Sequence, residues 1–170
     1  RIHFKDDASR ELLLPMSGYH NLENAARVYA TARSLGLTDK QIANGFATFK
    51  GVKRRQEVRG EVNGVLVIDD FAHHPTAVRE TIEGIRQRYA ERRIWAVFEP
   101  RSNTSRRNIH QREYIEALSC ADLVTIREPE PHDKVPADER LDVGHILREL
   151  AARGVPADAS PDVPELLRRV

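Results

Sequence analysis

The chain has 170 residues, 40% hydrophobic and 31% charged, with a formal net charge of +1. Such a hydrophobic share supplies a core and excludes a disordered tail, and near-neutral charge argues against a general nucleic-acid binder, which carries a basic excess. No apolar run approaches membrane-spanning length, and the lone Cys120 forms no internal disulfide, which fits a reducing cytoplasm. The expected partners are therefore neither nucleic acid nor membrane, and the expected location is cytoplasmic. The chain opens at Arg1 rather than Met, so a missing signal peptide carries little weight.

Residues 1–16 mix charge with the apolar run Leu12-Leu13-Leu14, closed by Pro15, and read as strand material from something larger. Residues 21–35 have helical periodicity and stop at Gly36. Thr38, with Gln41 three residues on, has capping-box spacing and starts a helix expected to bury Ile42, Phe46 and Phe49. Gly51-Val52-Lys53-Arg54-Arg55 breaks the pattern, which predicts a boundary between residues 1–52 and 53–170. Residues 57–61 and 65–68 flank Asn63-Gly64, a favoured hairpin dipeptide.

Val65-Leu66-Val67-Ile68 reads as a strand buried on both faces, and Pro75-Thr76 opens the next helix, whose face carries Val78, Ile82, Ile85 and Tyr89. Residues 94–98 and 123–126 read as two further strands, and residues 109–118 and 143–153 as helices, the latter stopped by Gly154. Residues 127–140 read as a long loop, and residues 163–170 begin a last helix. Cys120 ends an apolar helix face and reads as a buried, inert thiol. The alternation predicts an α/β fold: a mainly parallel, Rossmann-like sheet with helices on both faces, preceded by a helical tail.

Each apolar strand empties into a chemically rich loop, and in a parallel sheet these loops share one edge, where ligands bind. The first supplies Asp69, Asp70, His73 and His74. The second supplies Glu99-Pro100-Arg101-Ser102-Asn103-Thr104 with Arg106 and Arg107, and the third Arg127-Glu128-Pro129-Glu130. Arginines there suit carboxylates or phosphates, whose oxygens match the guanidinium fork. The Asp/His turn has three readings: contact to a nucleotide ribose, an Asp capping the next helix with a His packed beside it, or a metal centre of a phosphoesterase. His20-Asn21-Leu22-Glu23-Asn24 places two amides at a helix start, where they cap it or face a base edge.

The series Gly18-Tyr19-His20-Asn21-Leu22-Glu23-Asn24-Ala25-Ala26, Phe49-Lys50-Gly51-Val52-Lys53-Arg54-Arg55 and Asp69-Asp70-Phe71-Ala72-His73-His74-Pro75-Thr76 resembles the Mur ligase family in order and spacing. These enzymes build the peptide stem of the bacterial cell wall. The loop Phe98-Glu99-Pro100-Arg101-Ser102-Asn103-Thr104 and the pair Phe71-Ala72 resemble its murein peptide ligase branch more than its L-alanine-adding branch. The resemblance implies an ATP- and Mg²⁺-dependent amide ligase of peptidoglycan recycling. It would join UDP-N-acetylmuramate, through an acyl phosphate, to the tripeptide L-Ala-γ-D-Glu-meso-diaminopimelate.

By the same resemblance, Asn24 contacts adenine, Arg55 and Asp70 lie near ribose and phosphate, and His73 lies close to the nucleotide. Arg101, Ser102, Asn103, Thr104 and Arg106 face the incoming peptide. No G-x-x-G-K-[ST] phosphate loop occurs in the chain, and the family's metal ligands and modified lysine are missing too. Residues 1–52 then read as the end of a central ATP-binding domain and residues 53–170 as a C-terminal domain expected to be truncated at its end. The chain alone is expected to be inactive, without catalytic or metal-binding residues of its own. The alternatives are the L-alanine-adding ligase, a metal-dependent phosphoesterase and a non-catalytic nucleotide-binding domain.

Overall fold

The computed structural model describes residues 2–3, 9–10, 12–14, 16–129 and 135–168. Two short strands, β1 (Ile2–His3) and β2 (Ser9–Arg10), pair antiparallel. Residues 12–14, expected as strand, lie in no regular element, and Pro15 and Glu130 are outside the described residues. Helix α1 (Tyr19–Ser34) ends just before Gly36, whose φ of 86° is the left-handed turn that a terminal glycine allows.

Helix α2 (Asp39–Thr48) opens on the predicted capping box. The Thr38 hydroxyl accepts the N–H of Gln41, and the Gln41 side chain accepts the N–H of Thr38. Ile42 is buried, but Phe49 is 42% exposed, against expectation. Phe49 is the C-cap, with extended backbone, so the helical spacing that aligns it with Phe46 no longer applies.

Strands β3 (Glu57–Val62) and β4 (Val65–Asp69) form the predicted antiparallel hairpin. Asn63 and Gly64 take φ of 51° and 80°, the signs a type I′ turn requires. The expectation that β4 is buried on both faces fails. Its strand partner is β3, and Val65 and Val67 are 41% and 50% exposed. The run is apolar on both faces, so its sequence lacks the alternation that marks a hairpin arm.

Contacts divide the chain into two compact units, residues 1–71 and 72–170. The second contains α3 (Pro75–Arg88), β5 (Trp95–Phe98), α4 (Gln111–Leu118), β6 (Leu123–Arg127), α5 (Val143–Ala152), β7 (Ala157–Ser160) and α6 (Val163–Leu167). β5, β6 and β7 lie side by side and parallel, with Trp95 opposite Leu123 and Val124 opposite Ala157. The connections between them carry α4 and α5, as parallel pairing demands. The fold is thus α/β with a parallel sheet, as the alternation implied.

In that second unit α3 packs on α4, and α4 on α5. Val78, Ile82, Phe98, Leu118, Val124, Ile126, Ile146 and Leu150 form one continuous core. Each fully buried Leu or Ile contributes roughly 1.5–3 kcal/mol. Among the described residues of the first unit, the buried hydrophobics are Ala25, Tyr29 and Ile42. No helix among the described residues is long and apolar enough to cross a membrane.

Candidate functional site

In the first unit, Arg55 sits on a turn between two residues with left-handed backbone, Arg54 at φ 58° and Gln56 at φ 48°. Each such non-glycine residue costs roughly 1–2 kcal/mol, so the turn must be held from outside. The Arg54 N–H donates to Glu57 Oε2 at 2.9 Å, and the Arg55 N–H to the Val52 carbonyl at 3.0 Å. The Phe71 N–H donates to the Arg54 carbonyl at 2.9 Å, and the Gln56 N–H to Asp70 Oδ2 at 2.8 Å. The Arg54 guanidinium lies 4.9 Å from the centre of the Phe71 ring, with its Nε 3.6 Å from Asp69. The Arg55 side chain is left exposed.

The two aspartates therefore brace this turn. Neither caps the next helix, as one of the three readings had it; His74 does, its Nδ1 accepting the N–H of Thr76 at 3.4 Å. Pro75 at the first helical position has no N–H to satisfy. In the second unit, the His73 carbonyl accepts a hydrogen bond from the hydroxyl of Tyr114, a residue only 1% exposed. The imidazole of His73 itself is exposed. Among the described residues no three His, Cys, Asp or Glu side chains are grouped to hold a metal ion.

At the start of α1, Gly18 is the N-cap without a side-chain cap bond, and Asn21 Nδ2 donates to the Ser17 carbonyl at 2.6 Å. Asn21 thus takes the structural part. Asn24, one turn on, is exposed, its Oδ1 accepting from Arg27 at 3.3 Å.

The loop after β5 holds its shape through two serines. Ser105, fully buried, accepts the N–H and the hydroxyl of Ser102, each at 2.9 Å, and donates to the Ser102 carbonyl at 3.1 Å. In return the Ser105 N–H donates to Ser102 Oγ at 3.0 Å. The Arg106 N–H donates to the Ser102 carbonyl, its Nε to the Pro100 carbonyl at 3.4 Å, and its own carbonyl accepts from Leu141. Of the five residues expected to face a peptide, Ser102 and Arg106 are engaged in building the loop, while Arg101, Asn103 and Thr104 project from it exposed.

The loops after β5 and β6 do share an edge, because those strands pair in parallel. Arg127 at the end of β6 donates to Glu99 at 2.7 Å, and the same carboxylate lies 3.5 Å from Arg101. The loop after β4 was expected at this edge as well, but β4 pairs with β3 and is not a strand of that sheet. Sequence reasoning missed Gln56 in the first unit, and Ser105 and Tyr114 in the second, each of which holds the polar segment beside it in place. A buried serine or tyrosine inside a polar or helical stretch carries no pattern that marks it.

Among the described residues, four groups have clearly shifted acidities. The Arg54 N–H, with nearby Arg59, lowers the Glu57 carboxyl. Arg86 and the Ile94 N–H lower Asp122. Cys120, expected to be buried, is only half-buried; that burial still pushes its thiol up, with Glu83 adding to it. Burial alone pushes the Tyr114 phenol up to about 12.

The profile of the "Mur ligase, glutamate ligase domain" matches residues 54–169, more than half of the chain. The chain belongs to the Mur ligase family. It is 35% identical to a UDP-N-acetylmuramate–L-alanine ligase of Geobacter sulfurreducens over 152 residues, covering 89% of this chain and 32% of that protein. It is 41% identical over 120 residues to the UDP-N-acetylmuramate–L-alanyl-γ-D-glutamyl-meso-2,6-diaminoheptandioate ligase of Escherichia coli, covering 70% of this chain and 26% of that one.

Among solved structures of this family, a UDP-N-acetylmuramate–alanine ligase from Thermotoga maritima superposes with a TM-score of 0.78 at 26% identity, over 99% of this chain and 35% of that one. A murein peptide ligase from Psychrobacter arcticus gives 0.62 at 34% identity, over 93% of this chain and 32% of that one. This Mur ligase chain therefore spans about a third or less of the length of the curated relatives it matches.

Proposed function

We propose that the chain is the carboxyl-terminal part of an ATP-dependent ligase of peptidoglycan recycling. Its reaction would join UDP-N-acetylmuramate to L-Ala-γ-D-Glu-meso-diaminopimelate in the cytoplasm. In this reading residues 1–52 end a central ATP-binding domain and residues 53–170 form the C-terminal domain, the family profile beginning at residue 54. The observation that carries the tripeptide is the exposed, braced loop that bears Arg101, Asn103 and Thr104 at the carboxyl edge of β5. D-Glutamate and diaminopimelate bring carboxylates, which a guanidinium binds through two oxygens at once. The L-alanine reading is the runner-up, favoured by the high overlap with the Thermotoga maritima enzyme.

Asn24, Arg55 and Asp70 fit the edge of a nucleotide site in chemistry. They are an exposed amide, an exposed guanidinium on a rigid turn, and a carboxylate oriented by a backbone N–H. ATP, when bound with Mg²⁺, supplies the phosphoryl group that activates a carboxylate for attack by an amine. In that setting the Asn24 amide would offer a donor and an acceptor to the base edge. The Arg55 guanidinium would bind phosphate or ribose oxygens, and His73 is proposed to lie close to the nucleotide by family resemblance. Arg101 would orient the acceptor by its carboxylates, with entropy removed before reaction.

The test is amide formation by a full-length ligase that contains this chain, assayed by ADP release with the tripeptide and with L-alanine as competing acceptors. Preference for L-alanine would overturn the tripeptide reading, and absence of ADP release with either would overturn the ligase reading. The 170-residue chain alone is expected to release no phosphate from ATP in the presence of both substrates; measurable turnover would refute the assignment of phosphoryl transfer to residues outside it.

A further inference from the structure

Gln56 makes a pair of bonds that no motif predicts. Its Oε1 accepts the N–H of Ser17 at 3.0 Å, and its Nε2 donates to the Ser17 carbonyl at 3.1 Å. A primary amide laid against both polar groups of one residue is fixed in orientation as well as in distance. Ser17 stands immediately before Gly18, the N-cap of α1, and its carbonyl also receives Asn21 Nδ2. The root of the helix that carries Asn24 is thereby tied to Gln56.

The same residue reaches the other candidate contacts through its backbone. Its N–H donates to Asp70 Oδ2 at 2.8 Å, and its neighbour in the chain is Arg55. These ties join segments 39 and 14 residues apart in sequence. Gln56 does this from a left-handed φ of 48°, where a glycine would sit without strain but would have no side chain to reach Ser17.

We infer that Gln56 is a positioning residue: it fixes the spacing between Asn24 and the Arg55–Asp70 pair, and so the separation of the contacts offered to the base and to the ribose–phosphate end of a nucleoside triphosphate. This rests on the nucleotide reading above. Loss of the clasp loosens ATP without touching the loop assigned to the acceptor.

The experiment compares Gln56→Met, Asn24→Ala, Arg55→Ala and the Gln56→Met/Asn24→Ala double variant in the full-length ligase. Gln56→Met keeps the length of the side chain and removes both bonds. It is expected to raise the KM for ATP about tenfold and to leave the KM for the acceptor within about twofold. Asn24→Ala is expected to cost about tenfold in the wild-type background and less than about threefold beside Gln56→Met, because Asn24 is then already misplaced. Should Gln56→Met fail to fold, Gln56→Glu serves in its place. It keeps the acceptor for the Ser17 N–H and turns the other oxygen against the Ser17 carbonyl, with the same expected split.

Equal rises in both KM values, or fully independent effects of Gln56→Met and Asn24→Ala, overturn the positioning role. If Asn24→Ala and Arg55→Ala raise the KM for ATP and the Gln56 variants do not, the inference falls and the nucleotide reading stands. If Asn24→Ala and Arg55→Ala have no effect on ATP, both fall.

Discussion

Ser105→Ala tests whether the loop that carries Arg101, Asn103 and Thr104 is held by a built knot or by chance contacts. The Ser105 hydroxyl is fully buried and uses its whole capacity, accepting twice from Ser102 and donating once to it. Alanine fits the space but abandons the Ser102 N–H inside the loop. A hydrogen bond contributes about 0.5–1.5 kcal/mol net, and a stranded buried donor costs roughly 1–3 kcal/mol. The Ser105 N–H still bonds Ser102 Oγ, and the Ser102 carbonyl still receives Arg106. The expected loss is therefore about 2–3 kcal/mol. For a unit of about a hundred residues, each kcal/mol moves the melting temperature by about 4–8 °C. Circular dichroism melts should show a fall of about 8–24 °C, and urea titrations the matching loss of about 2–3 kcal/mol. A change below about 0.5 kcal/mol, the range of neutral surface substitutions, would refute the reasoning. Ser102→Ala leaves the N–H of the fully buried Ser105 without its acceptor, so it should cost a comparable amount, roughly 1–3 kcal/mol.

Asp122→Asn should flatten the acid limb of the stability curve. Asp122 titrates below its ordinary value of 3.8 because Arg86 and the Ile94 N–H bind its carboxylate. A depressed carboxylate contributes stability that is present above the unfolded value and lost as pH falls through the folded one; an unchanged slope of urea midpoint against pH below about 4 would contradict this. Tyr114→Phe should cost about 1 kcal/mol by losing the bond to the His73 carbonyl. In the ultraviolet titration it should also remove the phenolate step that burial delays to about 12. Gly64→Ala should cost roughly 1–2 kcal/mol. A Cβ there meets nothing within 4 Å, so the cost is all backbone, at φ 80°, and hydrogen exchange in residues 57–69 should quicken accordingly.

Features written in local chemistry were legible in the sequence. Thr38 and Gln41 specify their capping box, Asn63-Gly64 its turn, Pro75 and Gly36 a helix start and stop, and each depends on neighbours within four residues. β7 was not legible, because Ala157-Asp158-Ala159-Ser160 has no β-branched or aromatic residue. Pairing with β6 makes it a strand, and pairing is a long-range fact. β4 fails in the opposite sense: its residues favour a central strand, and it is a hairpin arm.

At the site, the exposed polar residues stood out by motif, whereas the groups that brace them did not. Asp70 drew attention as a ligand contact, yet its described bond is to Gln56, and the need for that bond comes from a left-handed backbone invisible in composition. Ser102 looked like a donor to substrate, and its hydroxyl turns to Ser105.

The uneven distribution of buried hydrophobics has a practical meaning for anyone handling the chain. Fifteen core residues lie together between Val78 and Val155, whereas the described part of residues 1–71 buries Ala25, Tyr29 and Ile42. Fluorescence will report chiefly on the richer half, since the single tryptophan, Trp95, stands on β5 within it. An unfolding curve followed by Trp95 and one followed by far-ultraviolet helix signal, much of which comes from α1 and α2, should therefore separate. Their gap measures how far the leaner half melts on its own.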